Sequence, residues 1–122
     1  MRGRRTLSDT QAVGAEKEGL ARRFLEGRGL RFLDQNYRCR MGEIDLIMQD
    51  KGVLVFIEVR FRRSDRCGGA VASVDTRKQR RLISAAKRYL LQYPTNLPCR
   101  FDVLAIGRAN EIDWIEDAFR VE

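Results

Sequence analysis

Histidine is absent from the 122 residues, cysteine occurs three times, proline twice and tryptophan once. Without histidine neither a Ser-His-Asp nor a Cys-His arrangement can be built. Asp, Glu, Lys, Tyr and a hard, oxygen-seeking metal remain as the available chemistry. Cys39, Cys67 and Cys99 are widely spaced with no Cys-x-x-Cys pair, so a zinc site is not expected. No apolar run approaches the roughly 20 residues of a membrane span, and no secretory segment follows the opening MRGRRTLSDT. A cytoplasmic protein with reduced thiols and no membrane partner is the expectation. Acids are also in deficit: 17 against 24 Lys and Arg leaves a net charge of +7, which favours a polyanionic partner such as nucleic acid.

What is present suits one compact domain. Hydrophobic residues make up 43% and charged ones 34%, a balance typical of neither disordered nor membrane chains. Residues 1–10 are expected to be a flexible basic tail and 11–122 a single domain. Ser8 and Gln11 have capping-box spacing, and Val13, Leu20, Ala21, Phe24 and Leu25 share one helical face, with Gly27 and Gly29 as the stop. LRFLDQNYRCR is an extended segment interrupted near Asp34 to Asn36. Strands follow at about 43–49 and 53–61, then a glycine-bearing loop, RSDRCGGAVASV. A second capping box, Thr76 to Gln79, opens a helix to about Tyr93 with Leu82, Ile83, Ala86, Tyr89, Leu90 and Tyr93 inward and Pro94 at its end. Its other face carries Arg77, Lys78, Arg80, Arg81, Lys87 and Arg88. CRFDVLAI and EIDWIE read as strands around a Gly107 to Asn110 turn, and DAFRVE as a last turn or tail. The order α-β-β-β-α-β-β predicts an α/β domain, a mixed sheet flanked by helices.

The middle hairpin can be read by register. If Lys51-Gly52 is a two-residue turn, Asp50 pairs with Val53, Asp45 falls opposite Glu58, and Glu43 falls opposite Arg60. Ile44, Leu46 and Met48 then join Val53, Val55, Ile57, Val59 and Phe61 on an all-apolar face. Two carboxylates opposed across a sheet repel. A divalent cation bridging Asp45 and Glu58 would compensate, since Mg²⁺ takes one or two carboxylates plus water and phosphate oxygens. The alternative is an ordinary ion-pair network in which Arg60, Arg62 or a lysine from elsewhere neutralises the acids.

An acid on one strand, a hairpin and a Glu-x-Lys-like pair on the next resembles the PD-(D/E)XK nuclease superfamily, the restriction-endonuclease-like fold. GEIDLI at 42–47, FIEVRFR at 56–62, KQRRL at 78–82, RFDV at 100–103 and AF at 118–119 together resemble the YraN family of predicted bacterial endonucleases, over about Gly14 to Phe119. The resemblance implies Mg²⁺- or Mn²⁺-dependent attack of water on a DNA phosphodiester, kinship to Holliday-junction resolvases, and with it a homodimer. It implies Asp45 and Glu58 as catalytic metal carboxylates. Glu18 matches the family's helix acid and would lie over the metal, or is an exposed helical charge. Glu43 would assist the metal or pair with Arg60. Arg60 stands where the motif has Lys; a guanidinium can stabilise an anion but cannot act as a base. Lys78, at the start of a helix, could supply the missing ammonium or be surface charge. Arg62, Lys78 and Arg81 are candidate nucleic-acid contacts, Arg62 with a pairing to Glu58 as its alternative. Asp102, between Phe101 and Val103, is expected in a structural ion pair. The reading set beside nuclease activity is a non-catalytic nucleic-acid-binding domain on the same scaffold.

Overall fold

A computed structural model describes residues 9–62 and 74–121, with side chains from residue 14 onward. Ser8, Cys67 and most of the RSDRCGGAVASV loop lie outside the described residues, as does the expected tail up to residue 8. Asp9 and Thr10 are already helical. The elements are α1 (Asp9–Gly27), β1 (Arg31–Cys39), β2 (Gly42–Asp50), β3 (Val53–Phe61), α2 (Thr76–Gln92), β4 (Cys99–Ile106) and β5 (Ile112–Phe119). The strands form one sheet in the order β1-β2-β3-β4-β5. Only β3 and β4 run parallel, because α2 lies between them in sequence and carries the chain back.

α1 ends as its glycines suggest. Gly29 takes φ +96°, which L side chains disfavour, and Leu30 N–H reaches back to Leu25 C=O at 3.1 Å. Leu25 and Leu30 are buried in the same cluster, completing a Schellman-type stop. α2 starts one residue earlier than its expected cap. Asp75, not Thr76, caps it, accepting from Lys78 N–H at 2.9 Å, while Gln79 turns back to Val74 C=O. A carboxylate there also meets the positive end of a helix that has no acid in its first turn. Tyr93, expected inward, is 55% exposed and stacks on Tyr89 with ring centroids 4.8 Å apart.

The sheet has a core on each face. Leu46, Met48, Val55, Ile57, Val59, Leu104 and Ile106 pack with Ala21, Leu25 and Leu30 of the α1 side. Ile47, Leu54, Phe56, Phe101, Val103 and Ala105 pack with Leu82, Ala85, Ala86 and Tyr89 of α2. The register of β2 on β3 is the one the Lys51-Gly52 turn requires, from Asp50↔Val53 to Leu46↔Ile57, with Lys51 at φ 57°. One apolar residue departs from the expected face: Ile44 belongs to the α2 side with Ile47, not with Leu46 and Met48. Side chains two apart on a regular strand share a face, so the alternation breaks between Ile44 and Leu46, at Asp45. Gly42 matters nearby, since a Cβ there would stand 3.0 Å from Arg81 C=O. Its absence lets the α2 backbone settle over the start of β2.

β5 runs further than EIDWIE. The register slips between Phe101 and Val103, Asp117 takes φ 53°, and its N–H is accepted by Asp102 Oδ1 at 2.9 Å. With that N–H satisfied off the ladder, the strand continues as a bulge to Phe119.

Candidate active site

At the break in β2, three strands become irregular together. The β2–β3 ladder ends at Leu46↔Ile57, and beyond it Val59 N–H donates to Asp45 Oδ2 at 2.8 Å. On the other side of β2, Gln35↔Leu46 and Tyr37↔Ile44 are paired, which leaves Asn36 in the slot facing Asp45. Asn36 has φ 53°, a left-handed conformation rare within a strand and most tolerable for Asn, Asp or Gly. The Asp45 side chain is thus turned toward β3 instead of standing on either face.

Glu58 meets it there. Glu58 is 4% exposed and directly precedes Val59, whose N–H holds the Asp45 carboxyl, so the two carboxyls are neighbours across β2 and β3. Burial, and then the Glu58 charge, push the Asp45 carboxyl from 3.8 up to about 8, with the Val59 N–H working against the rise and Glu18 adding to it. Two cations converge on Glu58 Oε2: Arg60 Nη1 at 3.2 Å and Lys78 Nζ at 3.5 Å. Lys78 reaches Glu58 from the first turn of α2.

Glu18 approaches from α1. Burial first and Glu43 second raise its carboxyl above the usual range, while a hydrogen bond with Asn36 and the charge of Arg38 pull the other way and Glu58 adds a smaller rise. Glu43 is paired with Arg38, its cross-strand neighbour, at 3.1 Å, and not with Arg60. Glu18 is therefore within electrostatic reach of Glu43, Asp45 and Glu58. Among the described residues, no three His, Cys, Asp or Glu side chains form a ready-made metal cage. Two hard carboxylates driven together in a buried site nonetheless suit an oxygen-seeking ion that keeps most of its water.

The remaining candidates lie apart. Arg62 points to Asp113 on β5 at 3.9 Å, and its Nε is buried without a hydrogen-bond partner among the described residues. Arg81 is exposed, with Nε 3.5 Å from Met41 C=O at the β1–β2 turn. Asp102 is 1% exposed, and four N–H groups fill its two oxygens: Arg100 Nε and Nη2, Trp114 Nε1 and Asp117 N, each at 2.9–3.0 Å. It is the structural ion pair expected of it, with no lone pair directed to the acid cluster.

Asn36 and Arg38 escaped notice in the sequence. The signal available was the polar DQN run inside an otherwise strand-like segment, since Asn takes a left-handed kink more readily than other residues with a side chain. Asn36→Gly retains the backbone freedom and removes the amide, whereas Asn36→Ala also imposes backbone strain of about 1 kcal/mol or more. Urea unfolding should therefore show Ala as the less stable of the two. Equal stability of the two variants would count against a strained backbone at this slot.

A family model described as "Uncharacterised protein family UPF0102" matches residues 17–106, a span that includes every acid of the cluster, Arg60, Lys78 and Asp102. A UPF0102 protein of Nitrosomonas europaea is 51% identical over 115 residues, covering 93% of this chain and 98% of its own length. Another, from Nitrosococcus oceani, is 53% identical over 114 residues, with 89% and 92% covered. A third, from Stutzerimonas stutzeri, is 47% identical over 118 residues, with 93% and 98% covered.

Proposed function

The chain belongs to the uncharacterised protein family UPF0102, and on that footing we propose that it is a metal-dependent DNA endonuclease of the restriction-endonuclease-like superfamily, hydrolysing phosphodiester bonds in branched or damaged DNA. The observation that carries the reading is the pairing of half-buried Asp45, held by Val59 N–H, with buried Glu58, on which Lys78 and Arg60 converge. Carboxylates forced together at the end of a sheet, beside a helix N-terminus and two cations, form a site better explained by chemistry than by stability. Its resemblance to YraN supports the same reading.

Asp45 and Glu58 would hold Mg²⁺ or Mn²⁺, and Glu18 and Glu43 would assist them. A bound divalent ion supplies Lewis acidity and a water of lowered pKa. The protein's own part is positional. Asp45 must release its proton to take this role, and Val59 N–H fixes the direction of its carboxylate. Lys78 and Arg60 set positive charge where a phosphoryl group would gain negative charge. A guanidinium cannot serve as a base, so a proton acceptor is to be sought elsewhere than Arg60. The same proposal takes the protein to be cytoplasmic and to act on DNA as a homodimer. Among the described residues no helix is long and apolar enough to cross a membrane.

The second reading is a nucleic-acid-binding domain without turnover, and what favours it is that Arg60 and Lys78 already share one oxygen of Glu58. Supercoiled, single-stranded and four-way-junction DNA incubated with Mg²⁺ or Mn²⁺ separate the two. Cleavage by the wild type, lowered at least about 100-fold in Glu58→Gln, is the expected result. Tight binding with no cleavage by any form would support the second reading, and cleavage equal in wild type and Glu58→Gln would belong to a contaminant.

A further inference from the structure

α2 carries six cations and no acid in its 17 residues: Arg77, Lys78, Arg80, Arg81, Lys87 and Arg88. They do not form one uniform face. Lys78 touches Glu58. Beyond it, at helical spacings of three and ten residues, Arg81 and Arg88 continue along the side that overlooks the β1–β2 turn. Arg81 Nε approaches Met41 C=O there.

Between that turn and α2 lies a groove of about 530 Å³ whose lining includes Tyr37, Arg38, Arg40, Met41, Arg88 and Gln92. No acid lines it. Gln92 is engaged by the Tyr37 hydroxyl, which closes the far end. Arg40 and Arg88 are exposed, and among the described residues neither has an ion-pair partner. Arg38 joins the groove to the acid cluster through Glu43. A trough floored by arginines and continuous with the acids at two points has the charge of a phosphodiester track.

We infer that this groove seats the backbone of the nucleic-acid strand flanking the phosphate held at Asp45 and Glu58. This deepens the reading above and rests on it for the position of that phosphate. From Lys78 to Arg88 the helix rises about 15 Å, the axial length of about four nucleotides at about 3.4 Å per nucleotide. The partner is therefore a strand continuous for at least that distance on one side of the site. A mononucleotide would leave the groove empty.

The other flank of α2 supplies the control. A groove of about 790 Å³ there is lined by Arg80, Lys87 and Arg120 among others, but Arg120 is committed to Asp117 at 2.6 Å. Arg40→Glu/Arg88→Glu and Arg80→Glu/Lys87→Glu alter net charge equally on the two sides. Anisotropy with a fluorescein-labelled 20-base-pair duplex, in EDTA, at a series of salt concentrations, reads the difference. The first pair should weaken binding by about 10-fold or more and reduce the salt slope by about two, and the second by less than about threefold. Equal losses from both pairs would show a diffuse charge effect and overturn the assignment, as would no loss from the first. Arg40→Ala/Arg88→Ala, checked for an unchanged melting temperature, guards against misfolding of the Glu variants. If no cleavage is ever seen but the first pair alone loses binding, the nuclease reading fails while the groove stands.

Discussion

Asp45→Asn should make the metal-free protein more stable at pH 8, on the order of 3 kcal/mol, while abolishing its response to divalent metal. In the folded protein Asp45 keeps its proton to about pH 8, against 3.8 for the ordinary carboxyl. Its contribution to stability is full below about pH 3.8 and is lost as pH rises to about 8, because the unfolded chain has already released the proton that the folded one still holds. Asn cannot ionise, and its side-chain oxygen can still accept the Val59 N–H. The variant and wild type should thus be nearly equally stable near pH 4 and diverge steadily toward pH 8. Millimolar Mg²⁺ or Mn²⁺ should raise the wild-type melting temperature, most at high pH where protons compete least. A ligand at 100 times its dissociation constant adds about 2.7 kcal/mol. In Asp45→Asn that increment should vanish. Differential scanning calorimetry from pH 4 to 9, with and without metal, makes the comparison. A wild type indifferent to metal at pH 8, or a variant that responds equally, would remove Asp45 from the metal-holding role.

Asp102→Ala should cost about 3–5 kcal/mol, as much as truncating a large core side chain. The Asp102 carboxylate is filled by Arg100, Trp114 and Asp117. Arg100 in turn holds Asp50 at 3.0 Å, and the paired carboxylates keep its guanidinium even more firmly protonated than usual. Truncation leaves a 16%-exposed guanidinium, an indole N–H and the Asp117 N–H short of an acceptor. It also removes what holds the bulge that takes β5 to Phe119. Asp102→Asn keeps one oxygen and loses the charge, so an intermediate loss is expected. Trp114 is the single tryptophan and sits on the network, with Phe24 of α1 edge-on at 6.3 Å, so its fluorescence in a urea titration reports the change directly. A loss under about 1 kcal/mol for the Ala variant would mean that solvent replaces the carboxylate. Any variant that still folds should keep the metal-induced rise in melting temperature, since Asp102 makes no contact with the acid cluster.

Much of this architecture follows from local rules. A Lys-Gly turn admits one pairing, and every position from Asp50↔Val53 to Leu46↔Ile57 follows from it by counting. Helical periodicity located Leu25, Leu82 and Tyr89 in the core, and the element order foretold a mixed sheet with helices. Asp45 and Glu58 could be brought together for the same reason, because residue sums are constant in an unbroken antiparallel pair.

What counting could not supply is where the pair breaks. Ile44 turns to the α2 side, Asn36 takes a left-handed kink, and Val59 gives its N–H to a carboxylate, all at one slot in the sheet. Those choices, the approach of Glu18 and the partners taken by Arg38, Arg60, Arg62 and Lys78 depend on elements distant in sequence that compete for the same carboxylates. Periodicity and turn chemistry are properties of neighbours along the chain, whereas the partner of a buried charge is set by whatever else the packed layers enclose with it.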